Sequence, residues 1–219
     1  MAYISLLVVF GAVIIYTTTR IVMYKNCKAF LTAVQTGDTG IAKALLACHP
    51  YVLHARQSQT HGTWTTPIHI AVYAGNIELL RFLLDNGGNV DIEDHMKCTP
   101  LHEAAKYGRT ECALLLLQRG ADINRKGYYD QTPIYYRIGD AEFVRFAIEH
   151  GASVIARDSH NGTPLHGAVK LRRLDVVRVL IEHGADIHAK DSAGISPLEI
   201  AKRERFDEIL QFLQANGAN

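Results

Sequence analysis

The sequence predicts an all-α protein: a solenoid of stacked helix–turn–helix units behind a single N-terminal transmembrane helix. Two observations carry this. A ten-residue motif recurs at Thr66, Thr99, Thr132, Thr163 and Ser196, at intervals of 33, 33, 31 and 33 residues. Residues 1–19 contain no charged side chain, while the remaining chain mixes apolar and charged residues in globular proportions.

The N-terminal element comes first. Nineteen helical residues span roughly 28 Å, close to a bilayer's hydrocarbon thickness of about 30 Å. Tyr3 and Tyr24 stand near its two ends, where interfacial aromatics belong, and Arg20 is placed to snorkel outward. A cleaved signal peptide needs a basic start and a small-residue cleavage site, and neither precedes Arg20. A buried capping helix of a globular domain is the other alternative. The predicted anchor is residues 1–24. Arg20, Lys25 and Lys28 follow the span and the first acid is Asp38, so the positive-inside rule puts the rest in the cytoplasm.

Each copy of the motif reads as a short helix with its own punctuation. In TPLHEAAKYG, Thr99 suits the cap, Pro100 the first helical position and Gly108 the stop. Such a helix is marginal alone. The copies TPIHIAVYAG, TPIYYRIG, TPLHGAVKLR and SPLEIAKRER repeat the design, and a second apolar-periodic helix ending at Gly follows each. Stacked copies bury one another's apolar faces. Leu101, Leu115 and Leu116 supply core, and Ala104 and Ala105 keep one flank narrow. Residues 29–47 read as a degenerate first copy turning at Gly37. The last copy carries Lys202, Arg203, Glu204 and Arg205 on the flank a terminal cap leaves to solvent. The predicted units are 27–60, 61–93, 94–126, 127–157, 158–190 and 191–219.

With its 33-residue period, the TPLH boxes at Thr99 and Thr163 and the GAD turns at Gly120 and Gly184, the chain resembles the ankyrin repeat family over residues 29–219. The resemblance implies L-shaped units: two antiparallel helices and a projecting β-turn finger. It also implies that His69, His102 and His166 bond locally near the turn, which leaves them no catalytic or metal role.

Three departures from the repeat mark candidate binding residues. The stretch CHPYVLHARQSQTHGTW lengthens the first finger by five residues and holds Trp64, with His61 and Arg56 nearby. The fourth unit is two residues short in its first helix, which must end early or overwind. Tyrosines gather centrally: Tyr73, Tyr107, Tyr128, Tyr129, Tyr135 and Tyr136. Tyr73 and Tyr107 are expected at matching positions late in the first helix, facing the groove, and Tyr128 and Tyr129 in a finger. Tyr135 is the candidate for core filling. Tyrosine offers large contact area at low entropy cost. Glu103, Lys106, Tyr136, Arg137 and Lys170 share the expected partner-binding surface.

Other chemistry finds little footing. No GxSxG, GxxxxGK or HExxH pattern occurs. Cys48–His49, and Cys98 near His95 and His102, lack the paired spacing of a structural zinc site. No cofactor, metal or enzymatic activity is expected. A net charge of +1 argues against nucleic acid. The four cysteines are too few and scattered for a disulfide framework and suit a reducing compartment. The expectation is a monomeric, membrane-tethered scaffold binding a protein partner through groove and fingers. The alternatives are an extracytoplasmic bacterial-envelope scaffold or toxin-neutralising inhibitor, and, more remotely, a metal-dependent enzyme with an unrecognised site.

Overall fold

The structure is a computed structural model. It describes the backbone of residues 2–58 and 64–218, with side chains for residues 18–56 and 65–218. Contacts divide the chain into two units, residues 1–88 and 89–219.

In the first unit, α1 (Ala2–Thr36) runs without a break into the turn at Gly37, and α2 (Thr39–Cys48) returns antiparallel to it. Gly37 has φ +75°, the left-handed conformation that closes a helix most cheaply when no Cβ is present. Asp38 caps α2 by accepting the Ile41 N–H at 2.9 Å. Packing begins at Phe30, Leu31, Ala33 and Val34, which are buried against α2 and α3 (Pro67–Ala74). Upstream, Ile21, Val22, Met23 and Tyr24 are all exposed. Among the described residues no helix is long and apolar enough to cross a membrane; the expected anchor's side chains up to residue 17 lie outside them.

The long first finger is partly folded. Residues Pro50–His54 form a 3-10 turn that buries Val52 and Leu53. Beyond it, β1 (Gln57–Ser58) pairs antiparallel with β2 (Trp64–Thr65), a small departure from the all-α expectation. His61 and the Trp64 side chain lie outside the described residues. The unit ends with α3 and α4 (Ile77–Asp85), whose Leu79, Leu80 and Leu83 are fully buried.

The second unit repeats the helix pair four times: α5 (Pro100–Lys106) with α6 (Thr110–Gln118), α7 (Pro133–Tyr136) with α8 (Ala141–Glu149), α9 (Pro164–Lys170) with α10 (Leu174–Glu182), and α11 (Pro197–Arg203) with α12 (Asp207–Ala215). The first helices pack side by side in the order α5, α7, α9, α11. The narrow flank read from Ala104 and Ala105 is fully buried. In the two-residue-short unit the helix ends early, after four residues. Ile138, beyond its end, then fills the core place that Ala105 and Val169 hold in their units.

Candidate functional site

The histidines of the motif are struts. His102 Nδ1 accepts the Thr99 N–H at 3.0 Å and lies 2.9 Å from the Thr99 hydroxyl. With Nδ1 accepting, the proton sits on Nε2, which donates to the Gln131 carbonyl at 3.0 Å. His166 repeats this with Thr163 and with the Ile195 carbonyl at 3.1 Å. Gln131 and Ile195 each precede the cap residue of the next unit, so each imidazole ties two units together. Burial pushes the His166 pKa below its usual value.

Tyr135 stands in the histidine's place, and its hydroxyl lies 2.7 Å from the carbonyls of Ala156 and Gly162. Gly162 precedes Thr163, so the phenol makes the same inter-unit bond by a longer reach. It offers nothing to its own cap: the buried Thr132 hydroxyl has no hydrogen-bond partner. In the α11 unit Glu199 replaces the histidine and accepts the Ser196 N–H at 2.6 Å, closing a local capping box.

The fingers have a second rule. Asp94, Asp158 and Asp191 each turn a carboxylate oxygen inward, accepting the backbone N–H groups two and four residues on at 2.7 to 3.0 Å. The corresponding residue of the central finger is Gly127. A Cβ there would lie 2.8 Å from His102 Nε2 and 3.2 Å from Cys98 Sγ, so only glycine fits. This finger is closed by its own backbone, the Gly127 N–H donating to the Gln131 carbonyl at 2.9 Å, and beside it the Tyr136 hydroxyl lies 3.0 Å from the Cys98 thiol. The Tyr136 ring meets His102 edge-on at 5.2 Å. Tyr136, expected on the binding surface, is therefore half-buried: it stands four residues after its cap, where Ile70 and Ile200 are buried in their own units. Burial raises the Tyr136 and Cys98 pKa values. At the tip, Tyr129 and Asp130 take left-handed φ of 55° and 56°, and the Tyr128 and Tyr129 rings lie 4.0 Å apart, both exposed. With His95, Met96, Lys97 and Ser159 they line a cavity of about 580 Å³.

Of the remaining expected contact residues, Tyr73 (54% exposed) and Tyr107 (39%) face solvent. They do not hold matching positions: Tyr73 lies inside α3, seven residues after its cap, whereas Tyr107 ends α5, eight after its own. The Lys106 ammonium sits 5.1 Å from the Tyr107 ring centre. Burial opposes the Lys106 charge, but Glu103 and Tyr107 outweigh it and raise its pKa. Burial also raises the Glu103 carboxyl. Arg137 pairs with Asp140 at 2.8 Å, and Lys170 lines a separate cavity near α11. Among the described residues no three His, Cys, Asp or Glu side chains converge to hold a metal.

Helix pairs joined by struts, with fingers braced by inward carboxylates, define a helical repeat protein. Comparison with family models matches one described as "Ankyrin repeats (3 copies)" over residues 25–127 and one described as "Ankyrin repeats (many copies)" over residues 148–201. The chain belongs to the ankyrin repeat family, whose repeats generally mediate protein–protein interaction. The short α7 falls between the two matches. A search of curated proteins finds no match to the chain.

Proposed function

We propose that this protein is a membrane-tethered ankyrin scaffold that holds a protein partner against its groove and finger loops on the cytoplasmic side. The observation that carries the binding reading is the exposure of Tyr73, Tyr107, Tyr128 and Tyr129, large rings that repeat packing does not consume. The tether is supported by the uncharged residues 1–19 and by exposed Ile21, Val22, Met23 and Tyr24, which extend α1 beyond its packed part. The side is supported by Arg20, Lys25 and Lys28 after the span. Tethering raises the partner's effective concentration at the membrane without new contacts.

A crosslinked pull-down from native membranes tests the binding reading. A specific partner lost on replacing Tyr73 and Tyr107, or Tyr128 and Tyr129, by alanine is expected; no specific partner refutes it. Alkaline carbonate extraction tests the tether, which fails if the chain is released. The exposed Cys48 tests the side: labelling by a membrane-impermeant maleimide in intact cells would refute a cytoplasmic domain.

A further inference from the structure

The turns between first and second helices in the 89–219 unit carry an excess of positive charge. Residues 106–109, 137–140, 170–173 and 203–206 together hold eight Lys or Arg and two acids. They lie along one edge, because the helices they follow pack in order. Arginines also link each turn to the next. The Arg137 guanidinium fills the space where a Gly108 side chain would begin. Arg173 donates to the Gly139 carbonyl, and Arg172 lies 5.6 Å from the Phe206 ring centre.

Within this edge some charge is already committed. Arg137 pairs with Asp140 at 2.8 Å and Arg173 with Asp175 at 2.7 Å. Among the described residues Lys106, Lys170, Arg172, Arg203 and Arg205 make no ion pair. Lys106, Lys170 and Arg203 hold the same motif position, seven residues after Thr99, Thr163 and Ser196. A second observation is conformational. Arg172 and Arg205 have φ of 54° and 57° at the turn position that Gly108 fills with φ 64°. A side chain kept in that left-handed conformation costs stability.

We propose that this edge binds an acidic, extended peptide segment with one carboxylate for each repeat; the inference rests on the protein-binding reading above. Packed helices lie about 8–10 Å apart, and an extended strand rises about 3.3 Å per residue. Carboxylates spaced at every third residue therefore keep step with the units, meeting Lys106, Lys170 and Arg203 and passing the α7 unit, where Arg137 is already paired with Asp140. Apolar footing between the cations favours a peptide over a nucleic acid. Tyr107 and Leu171 are 39% and 56% exposed, and Ile195, Ile200 and Phe206, together with the carboxylates Asp191 and Glu204, line a cavity of about 380 Å³ between Lys170 and Arg203.

The test is fluorescence anisotropy on the full chain in detergent micelles with a labelled peptide of four Glu-Leu-Ser repeats. The comparison probes are a peptide of the same composition with its glutamates in one block, and a twelve-residue oligothymidylate. The repeating peptide should bind best. Binding should weaken about tenfold or more in Lys170→Glu/Arg203→Glu, less in Lys170→Gln/Arg203→Gln, and little in Arg145→Gln on α8. No binding, equal binding of the block peptide, tighter binding of the oligonucleotide, or equal loss in Arg145→Gln would each overturn the proposal. A native partner captured by crosslinking but indifferent to the Lys170/Arg203 reversal would sink this inference and leave the scaffold reading standing. Peptide binding without any native partner would do the opposite.

Discussion

Thr132 is the cheapest place to learn whether the strut geometry is right. Its hydroxyl is buried with no partner because Tyr135, unlike histidine, leaves the neighbouring cap unanswered. Thr99 is equally buried, but its hydroxyl lies 2.9 Å from His102 Nδ1. Replacing each by valine keeps the branched shape and suits the extended backbone, with φ −86°, ψ 165° at Thr132 and φ −90°, ψ 166° at Thr99. A buried hydroxyl with no partner costs about 1–3 kcal/mol, so Thr132→Val should be neutral or stabilising by about 1 kcal/mol. Thr99→Val loses a satisfied cap and should cost about 0.5–2 kcal/mol. For a chain of this length, 1 kcal/mol moves Tm by about 2–4 °C. Thermal unfolding followed by circular dichroism in dodecyl maltoside should therefore place Thr99→Val below wild type and Thr132→Val at or above it. If Thr132→Val loses as much as Thr99→Val, the threonine has a partner and the account of Tyr135 fails.

Other expectations follow from the same geometry. Gly127→Ala pushes a methyl to 2.8 Å from His102 Nε2 and should destabilise by about 1–3 kcal/mol, read from the urea midpoint, whereas Gly87→Ala, in open space but also at positive φ, meets only backbone strain. Because burial lowers the folded pKa of His166, its contribution to stability is complete above the unfolded value of about 6.5 and is lost as pH falls through that value toward the folded one. Urea midpoints at pH 7.5 and 5.5 should differ less in His166→Leu than in wild type. Ile134→Ala empties a fully buried site in the shortened unit and should cost about 2–5 kcal/mol by the same denaturation; a loss under 1 would mean this unit is loosely packed.

The fold was legible because its signal is redundant. Thr, Pro and Gly punctuate each first helix, and one period places every copy. The bonds of the histidines were legible only as local ones. Their second bond, from Nε2 to the next unit, joins residues 29 apart and follows from stacking rather than from the motif. The same limit hid Tyr136. Sequence marks it as an aromatic next to a deletion, but its contact with Cys98, 38 residues away, follows from stacking. Two other signals were readable and were missed. Gly127 stands where other fingers carry Asp94, Asp158 and Asp191, and the cations after each first helix emerge once the copies are aligned by their caps. The same alignment separates Tyr73, seven residues after its cap, from Tyr107, eight after its own.

The breaks in the fourth unit are better understood as one structural solution than as separate lapses. A two-residue deletion removes the end of α7, and Tyr136, just before the gap, reaches the Cys98 thiol. The finger comes close to His102 and Cys98 only because residue 127 has no Cβ. With glycine there, the carboxylate brace of the other fingers is gone, and the tip settles into two successive left-handed residues. Tyr135 keeps the bond to the next unit, so stacking continues past the defect, and Thr132 carries the cost. What this arrangement yields is a finger whose two rings face solvent while its backbone is fixed from inside. A surface held that rigidly loses little entropy when a partner covers it, which is the physical reason to look for contact at Tyr128 and Tyr129 as well as along the cationic edge.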